Sequence, residues 1–593
     1  MNKTNEATAN AQMVTKLLFR LLPIQIVLAA VNAVSSIVSS VFASNYVGNT
    51  AMTAIGLFGP INMFINAIST MLVGGAGILC GKYMGRNQQD KMQNVFSLDI
   101  LLAALVGIVF TFVLAVLGGF DWSGFLTRDP EVRPVFNQYM IGQALGILPL
   151  MIGNQLASFL SLENKAGRTT IASIAYLIVN VAFNFLFVVQ MKMEALGLAL
   201  ANSIGLWVFL LIQAQFFISK KSHLRFTVRK LEWKESAQIV RIGVPGAASF
   251  GYQTLRGLIL NYLIMAYVGS VGISAFAASD SLLKIFWTVP AGMLAVSRMM
   301  ISVSVGEEDR QTLTDVMRVM FRKFLPLMGL ISLCIILCSI PMTRLFYRDP
   351  SDPVYMMTVW GLRILPLCMP LSIICMHFSC YGQASDKTLL VHILSIVDGV
   401  AGCVLFALAT MPFMGMNSAY WASVFNGVCT TAIIFAYAWI KNRHFPKNME
   451  ELMVIPENFG VAEDERMDLS IRNVEEVVFI SQKVQRFCRS LGVDERRSYL
   501  AGLFLEEMAG NVVEHGFTKD KKNHSVDVRA AYKDGEVILR IKDDCVPFDP
   551  AERRQIIDPD DIAKNVGVRL IYRMATGVDY QNILGMNVLT IRI

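Results

Sequence analysis

Apolar runs of roughly bilayer length succeed one another from Met13 to Lys441, each ended by a short polar stretch. A membrane-spanning helix needs about twenty such residues. The pattern predicts twelve spans, near 14–43, 54–81, 94–118, 134–161, 168–191, 195–219, 238–268, 275–303, 322–345, 355–384, 388–412 and 416–440. Pro23, Pro60, Pro149, Pro245, Pro290 and Pro366 lie in these runs, which a helix bundle tolerates because neighbours satisfy the freed backbone groups. After Asn442 the pattern changes, and residues 442–465, with two prolines and mixed charge, read as a linker. Residues 466–593 show shorter periods. They predict a strand at 467–471, helices at 473–491 and 494–517, and strands at 524–533 and 536–542 joined around Lys533-Asp534-Gly535. A helix near 559–576 and two closing strands within 577–593 complete the chain.

The spans repeat. "RLLPI" begins at Arg20 and "RIGVP" at Arg241, Tyr46 of "NYVG" has its counterpart in Tyr267 of "AYVG", and Gly85 of "YMGRNQQD" matches Gly306 of "SVGEEDR", each pair 221 apart. Six helices per half make parallel repeats about an axis along the membrane normal, the arrangement that rocks around a central site in alternating access. The expected fold class is an all-α polytopic membrane protein of two six-helix lobes plus an α/β sandwich with helices on one face of an antiparallel sheet. The expected divisions are a tail at 1–12, a first lobe at 13–220, an inter-lobe loop at 221–237, a second lobe at 238–441, the linker, and the α/β domain at 466–593.

Composition agrees, with 54% hydrophobic and 16% charged residues against roughly 25% charged in soluble proteins. The ten cysteines form no CxxC pair and the six histidines have no metal-ligand spacing, so the cysteines read as small buried hydrophobes in a reducing compartment. Basic residues crowd alternate loops: Lys82, Arg86 and Lys91, then Lys165 and Arg168, then the run from Lys220 to Lys234, then Arg310, Lys387 and Lys441. The positive-inside bias places both termini in the cytosol and the chain in the cytoplasmic (inner) membrane. No G-x-x-x-x-G-K-[ST] loop occurs, which argues against a pump of the ABC type, and nucleic acid is not an expected partner.

The stretch "LPIQIVLAAVNAVSSIVSSVFASNYVGNTAMTAIGLFGPI", its echo "VPGAASFGYQTLRGLILNYLIMAYVGSVGISAFAASDSLL" and the loop "GAGILCGKYMGRNQQDK" resemble the MATE (multidrug and toxic compound extrusion) transporters over residues 13–441. The resemblance implies a central cavity and export of an organic solute driven by sodium or protons. Typical members carry an Asp in the first helix for cation coupling; the matching residue here is Ser39, whose hydroxyl carries no charge. Ionisable residues inside spans are costly in lipid and tend to be functional. Those singled out are Asp280 and Lys284, four apart, with Asp398, Arg256, Arg298 and Arg363, all in the second half, while the first half offers chiefly neutral Asn32, Asn66, Asn154, Asn180, Asn184 and Asn202. Asp398 is the candidate proton- or cation-responsive carboxylate, Arg298 reads as a side chain reaching for the interface, and a cavity faced by Lys284 and Arg256 would favour an anionic solute.

In the tail, "LEEMAGNVVEHGF" sets Glu507, Asn511 and His515 four apart, on one helix face. With "VILRIKDDCVPFDP" and "DDIAKNVGVRLIYRMATGVDY", this order resembles the GHKL ATPase fold, and most closely the anti-sigma-factor serine kinases. The resemblance implies ATP and Mg²⁺ as cofactors, with Asn511 completing the magnesium coordination, Glu507 as general base, Asp543 on the adenine amino group, and Gly567 and His515 at the nucleotide. Two glycines of the family pattern are replaced, by Cys545 and Asn565. The expectation is a secondary antiporter with a fused ATP-binding regulatory domain. Alternatives are a flippase for a lipid-linked anionic precursor and a membrane-tethered serine kinase acting on an anti-sigma-antagonist-like protein.

Overall fold

The computed structural model of the protein describes residues 3–593 apart from 48, 126–129, 220–221, 223, 228–230, 346, 348, 462–463, 518–523, 525, 534, 548, 551–565 and 584. Asp534, Asn565 and the first part of the helix expected near 559–576 lie outside the described residues.

The first lobe is built of α1 (Lys3–Phe42), α2 (Asn49–Gly85), α3 (Gln89–Gly119), α4 (Val132–Leu162), α5 (Ala166–Asn184) and α6 (Glu194–Ile218). The second begins with α7 (Lys234–Tyr267), α8 (Ser270–Leu283), α9 (Thr288–Gly306), α10 (Arg310–Val319), α11 (Leu325–Leu337) and α12 (Ser339–Thr343). It closes with α13 (Pro353–Ile364), α14 (Cys368–Ala384), α15 (Thr388–Ile396), α16 (Gly402–Met414) and α17 (Met416–Asn442). Eleven helical stretches are long and apolar enough to cross a membrane. The expected seventh span, α7, has 34 residues but carries Lys234, Glu235, Arg241, Gln253 and Arg256, which dilute its apolarity. The eighth, expected unbroken over 275–303, starts at Ser270 and is interrupted between Leu283 and Thr288. The stretch expected as an N-terminal tail is already helical from Lys3.

Three spans are single helices in all but a wide turn. π-helical turns at Phe185–Gln190, Met320–Phe324 and Val397–Ala401 prolong α5, join α10 to α11, and join α15 to α16. Such turns often mark functional positions, and the last contains Asp398.

The lobes meet where α1 and α2 pack against α9, and α2 against α7. At the tail-side end the crossing of α2 and α9 leaves no room for side chains. A methyl on Gly85 would stand 2.4 Å from the Val303 carbonyl oxygen, and one on Gly306 would stand 2.2 Å from that of Lys82. These are the residues that the 221-residue repeat pairs, so the two lobes close on each other at equivalent glycines.

The linker is anchored to the second lobe. Asn448 caps a short helix, α18 (Met449–Met453), Arg310 reaches Glu450 at 3.2 Å and the Pro456 carbonyl, and Lys387 donates to the Met453 carbonyl at 2.9 Å. Beyond it, β1 (Arg466–Ile471), β2 (Val526–Lys533), β3 (Glu536–Asp543), β4 (Gly577–Ile583) and β5 (Met586–Arg592) form an antiparallel sheet in the order β1-β2-β3-β5-β4. Asn473 and Asp494 cap α19 (Val474–Ser490) and α20 (Glu495–Asn511), accepting from the backbone nitrogens of Glu476 and Arg497 at 2.9 and 3.0 Å. These helices, with α21 (Val566–Met574), cover one sheet face. Val528, Leu539, Ile541 and Ile591 meet Val484, Phe504, Leu505 and Ile571 in a core separate from that of the membrane body.

The helix crossing predicts that Gly306→Leu lowers the thermal midpoint of the detergent-purified protein, a loss of about 1–3 kcal/mol from overpacking. Gly119, with nothing within 4 Å of an added methyl, serves as the control and is expected to tolerate Leu. Equal midpoints for the two variants would mean that the crossing is loose.

Candidate functional site

The sheet alternates by pleat, and each face has a task. On the helix-covered face, Asp543 ends β3 in a buried position. Asn587, its cross-strand partner, donates from Nδ2 to Asp543 Oδ1 at 2.7 Å, and the Cys545 backbone nitrogen donates to the same oxygen at 3.0 Å. The Tyr580 hydroxyl and Asn582 Nδ2 both donate to Asn587 Oδ1, at 2.8 and 3.0 Å, which fixes its orientation. Burial pushes the Asp543 carboxyl up, against the opposing bond from Asn587.

Glu507 and Asn511, both half-buried, sit on the last turn of α20. A methyl built on Gly567, at the start of α21, would lie 1.9 Å from Glu507 Oε2. The Glu507 carboxylate therefore rests directly on the bare backbone of the first turn of α21, where a helix favours negative charge. His515 lies in a wider π turn, Val512–Gly516, and is exposed. Cys545, set where the resembled family has glycine, is not among the described residues with positive φ, so this position does not require glycine. Its sulfur packs 3.0 Å from a methyl built on Gly516.

Sequence reasoning did not foresee a small cluster beside Asp543. Ligand-capable atoms of His524, Asp544 and Cys545 lie within 4.8 Å of one another. His524 Nδ1 is 2.8 Å from Asp544 Oδ1, and Lys16 of α1 pairs with the same carboxylate, so these partners already account for the Asp544 charge.

The opposite face of the sheet meets the membrane body. The turn between α9 and α10 is Glu307-Glu308-Asp309. Arg529 of β2 lies 2.6 Å from Asp309; Arg540 and Lys542 of β3 lie 3.1 and 3.0 Å from Glu307; Lys542 also reaches Asp309 at 3.3 Å, and Lys533 reaches Glu308 at 2.7 Å. Glu307 and Asp309 are buried, with side-chain exposures of 4% and 1%. Burial alone would raise the Asp309 carboxyl, but Arg529, Lys542 and Arg540 together hold it well below the usual carboxylate range. Asp309 also caps α10, accepting from the nitrogen and hydroxyl of Thr312 at 2.9 and 2.8 Å. On the other lobe, Asn87 donates to Asp579 of β4 at 2.9 Å. Asn87 and Glu308 are 221 residues apart, so one sheet face touches the same turn of both repeats. A cleft of about 430 Å³ lies between these turns and the sheet.

A family profile described as MatE matches residues 23–186 and again 245–408, together more than half of the chain. The chain belongs to the MatE family. The profile of the histidine kinase-like ATPase domain matches residues 472–593. A probable multidrug resistance protein NorM of Bacillus licheniformis is 24% identical over 323 residues, covering 52% of this chain and 68% of that protein. That of Bacillus subtilis is 26% identical over 228 residues, covering 37% and 47%, so the chain spans about half the length of this relative. Among solved structures, an outward-facing multidrug resistance MATE family transporter of the MOP superfamily superposes with a TM-score of 0.66 at 18% identity, covering 75% of this chain and 98% of that one. A MOP superfamily transporter from Pyrococcus furiosus, described as having a binding pocket of reverse polarity, gives 0.65 at 19%, covering 75% and 98%. These likenesses show the fold.

Within the MatE body, Asp398 is half-buried and has partners remote in sequence. Asn426 Nδ2 donates to its Oδ1 at 3.1 Å, and Arg256 Nη1 donates to its backbone oxygen at 3.2 Å. Asp280 and Lys284 form a 3.5 Å ion pair and are both more than half exposed. Arg298, read above as reaching for the interface, lines a cavity between α1, α2, α4, α6 and α9. In the first lobe, Ser35 rather than Ser39 joins a buried network. The Ser35 and Tyr176 hydroxyls are 2.6 Å apart, Tyr176 donates to Asn202 Oδ1 at 2.8 Å, Asn180 bonds Ser35, and Asn202 donates to Gln143 Oε1 at 3.0 Å. The expectation that spans of the first half lack charge fails at Asp99 of α3, which is fully buried, with neither oxygen hydrogen-bonded among the described residues.

Asp543 and Asn511 offer the groups a nucleotide would need, a buried carboxylate for an amino group and an amide oxygen for a hard cation. Calorimetric titration of the full-length protein with ATP and Mg²⁺ is expected to show binding that Asp543→Ala and Asn511→Ala each weaken at least about tenfold, the effect of one hydrogen bond to a charged or buried partner. Unaltered affinity in both variants would remove these residues from the site.

Proposed function

We propose that the protein is a MatE-type secondary transporter that exports an organic solute across the cytoplasmic membrane against protons or sodium, and that its ATPase-like domain holds it in check from the cytosol. The observation that carries the regulatory part is the single sheet face that touches repeat-related turns of both lobes, through Arg529, Arg540 and Lys542 on one side and Asp579 on the other. Rocking the lobes apart at this end would pull Asn87 away from Glu308, and a rigid sheet attached to both opposes that motion. Docking therefore favours the state in which the tail-side ends are closed, and release favours alternation.

Nucleotide would bias this choice through its neighbours. Asn511 and Asp543 would hold ATP and Mg²⁺, which supply negative charge and a hard cation beside the domain's docked edge. Asp544, adjacent to Asp543, already binds Lys16 of α1, so a change at the pocket reaches a membrane helix within one residue. Asp398, with Arg256 and Asn426 around it, is the group we assign to the coupling ion.

Reversing two charges, Arg529→Glu with Arg540→Glu, confronts buried Glu307 and Asp309 with like charge and is expected to undock the domain. Breaking a buried pair costs about 3–5 kcal/mol. In proteoliposomes the variant should export faster and lose any response to ATP. Identical rates and ATP response in an undocked variant would dispose of the brace. The carboxyl of Asp309 is depressed in the folded state, so its contribution is complete above its unfolded value of about 4 and is lost as pH falls through the lower folded value. Limited proteolysis between domains should thus change little from pH 8 to 5 and rise steeply below about 4.

A further inference from the structure

The cavity bordered by Arg298 has a volume of about 300 Å³. Its polar wall includes Gln25, Asn66, Ser69, Asn154, Ser161 and Arg298, besides the hydroxyls of Thr70 and Ser158, and no Asp or Glu is among its lining residues. The neutral groups are largely occupied with one another: Gln25 donates to Ser161 at 3.2 Å, Asn154 to Ser69 at 3.1 Å, and Asn66 to the Asn62 carbonyl at 2.9 Å. Arg298 supplies the cavity's formal charge. Among the described residues no carboxylate lies within ion-pair distance of it, and its buried Nε has no hydrogen-bond acceptor. Its side-chain contact is with the Cys380 thiol, a weak acceptor.

Depth makes this arrangement costly. Arg298 precedes Glu307, at the tail-side end of α9, by nine residues, or about 14 Å of helix. Arg298 thus lies inside the apolar stretch Thr288–Gly306 rather than at its end. A cation there is expected to have a stated partner, and the other bases singled out in the second half have theirs: Lys284 pairs with Asp280, Arg256 reaches the Asp398 turn, and Arg363 donates from Nε to Ser339 Oγ at 3.2 Å. Arg298 presents to a ligand-sized space a guanidinium that no carboxylate among the described residues pairs.

We propose that this cavity binds an organic anion, an apolar body carrying a carboxylate or phosphate, with Arg298 as the recognising charge. The planar guanidinium offers paired donors to either group, and Leu28 and Phe209 on the same wall receive the apolar part. A lipophilic cation would meet like charge and find no acid. That the ligand is carried as well as bound rests on the transport reading above.

The test uses the full-length protein in neutral detergent and three matched probes: 2-naphthoate, 2-naphthyl phosphate and the cation N-methylquinolinium. Equilibrium dialysis should show both anions bound and the cation excluded. Arg298→Ala should weaken anion binding at least about tenfold, with Arg298→Lys retaining part of it. If Arg298→Ala elutes as aggregate, Asn154→Leu, which narrows the cavity and spares the charge, should weaken the anions instead. Preference for N-methylquinolinium, or anion binding indifferent to both Arg298→Ala and Asn154→Leu, would overturn the proposal. Displacement of 2-naphthyl phosphate by added phosphatidylglycerol would identify a lipid headgroup as the natural source, and failure to displace it a free solute; each keeps the charge class. Because binding is read without flux, an anion that binds but is not moved by proteoliposomes would sink the transport reading and leave this site standing.

Discussion

A carboxylate removed from water must meet positive charge or give up its own, and the turn after α9 buries two of them. Glu307 and Asp309 are answered by Arg529, Arg540 and Lys542, which come from a sheet more than two hundred residues away. Asp309 at the same time starts α10 by capping it. The membrane body and the ATPase-like domain thus share a side chain that neither can change alone. This constraint sets which face of the sheet is docked, and it leaves the opposite face, with Asp543, to the helices that cover it.

The repeat explains why the grip falls where it does. Gly85 and Gly306 bring the two lobes into backbone contact, and the turns that follow them are Arg86-Asn87-Gln88 in one half and Glu307-Glu308-Asp309 in the other. Equivalent positions stand side by side with different charge. A strongly basic pair of strands binds the acidic turn, while the neutral Asn87 makes a single bond to Asp579. The grip is strong on one lobe and weak on the other, the form expected of a contact that must let go on one side first.

Much of this was legible in the chain. Bilayer-length apolar runs fixed the spans, the 221-residue spacing gave the lobes, and period-two alternation placed β2 and β3 within two residues of where they lie. Alternation alone, however, says that a face is polar and not what it touches, so Arg529, Arg540 and Lys542 read as a solvated face. Asp398 had no neighbour in sequence because Arg256 and Asn426 are 142 and 28 residues away. Asp99 went unseen because one acid at the edge of a long apolar run does not disturb the pattern. That Arg298 lines a cavity was not legible, since reach and direction depend on packing around α9. Cys545 replaces a glycine of the resembled pattern, and its backbone is not left-handed, which no sequence pattern could have told.

The two lobes share a fold and divide the charge unequally. In the first, Ser35, Tyr176, Asn180, Asn202 and Gln143 satisfy one another without a single ionised group, so this network can bind or release water without changing charge. Asp99 lies apart from it, sealed in the packing of α3. In the second, Asp398 sits on a π-helical turn among groups that can accommodate either a charged or a protonated carboxyl. A transporter that couples solute to an ion needs one place where charge changes and another where it is read. The repeat thus supplies two equivalent scaffolds carrying different groups, and Arg298, from the second lobe, lines a cavity walled mainly by the first, where the proposed anion would meet it.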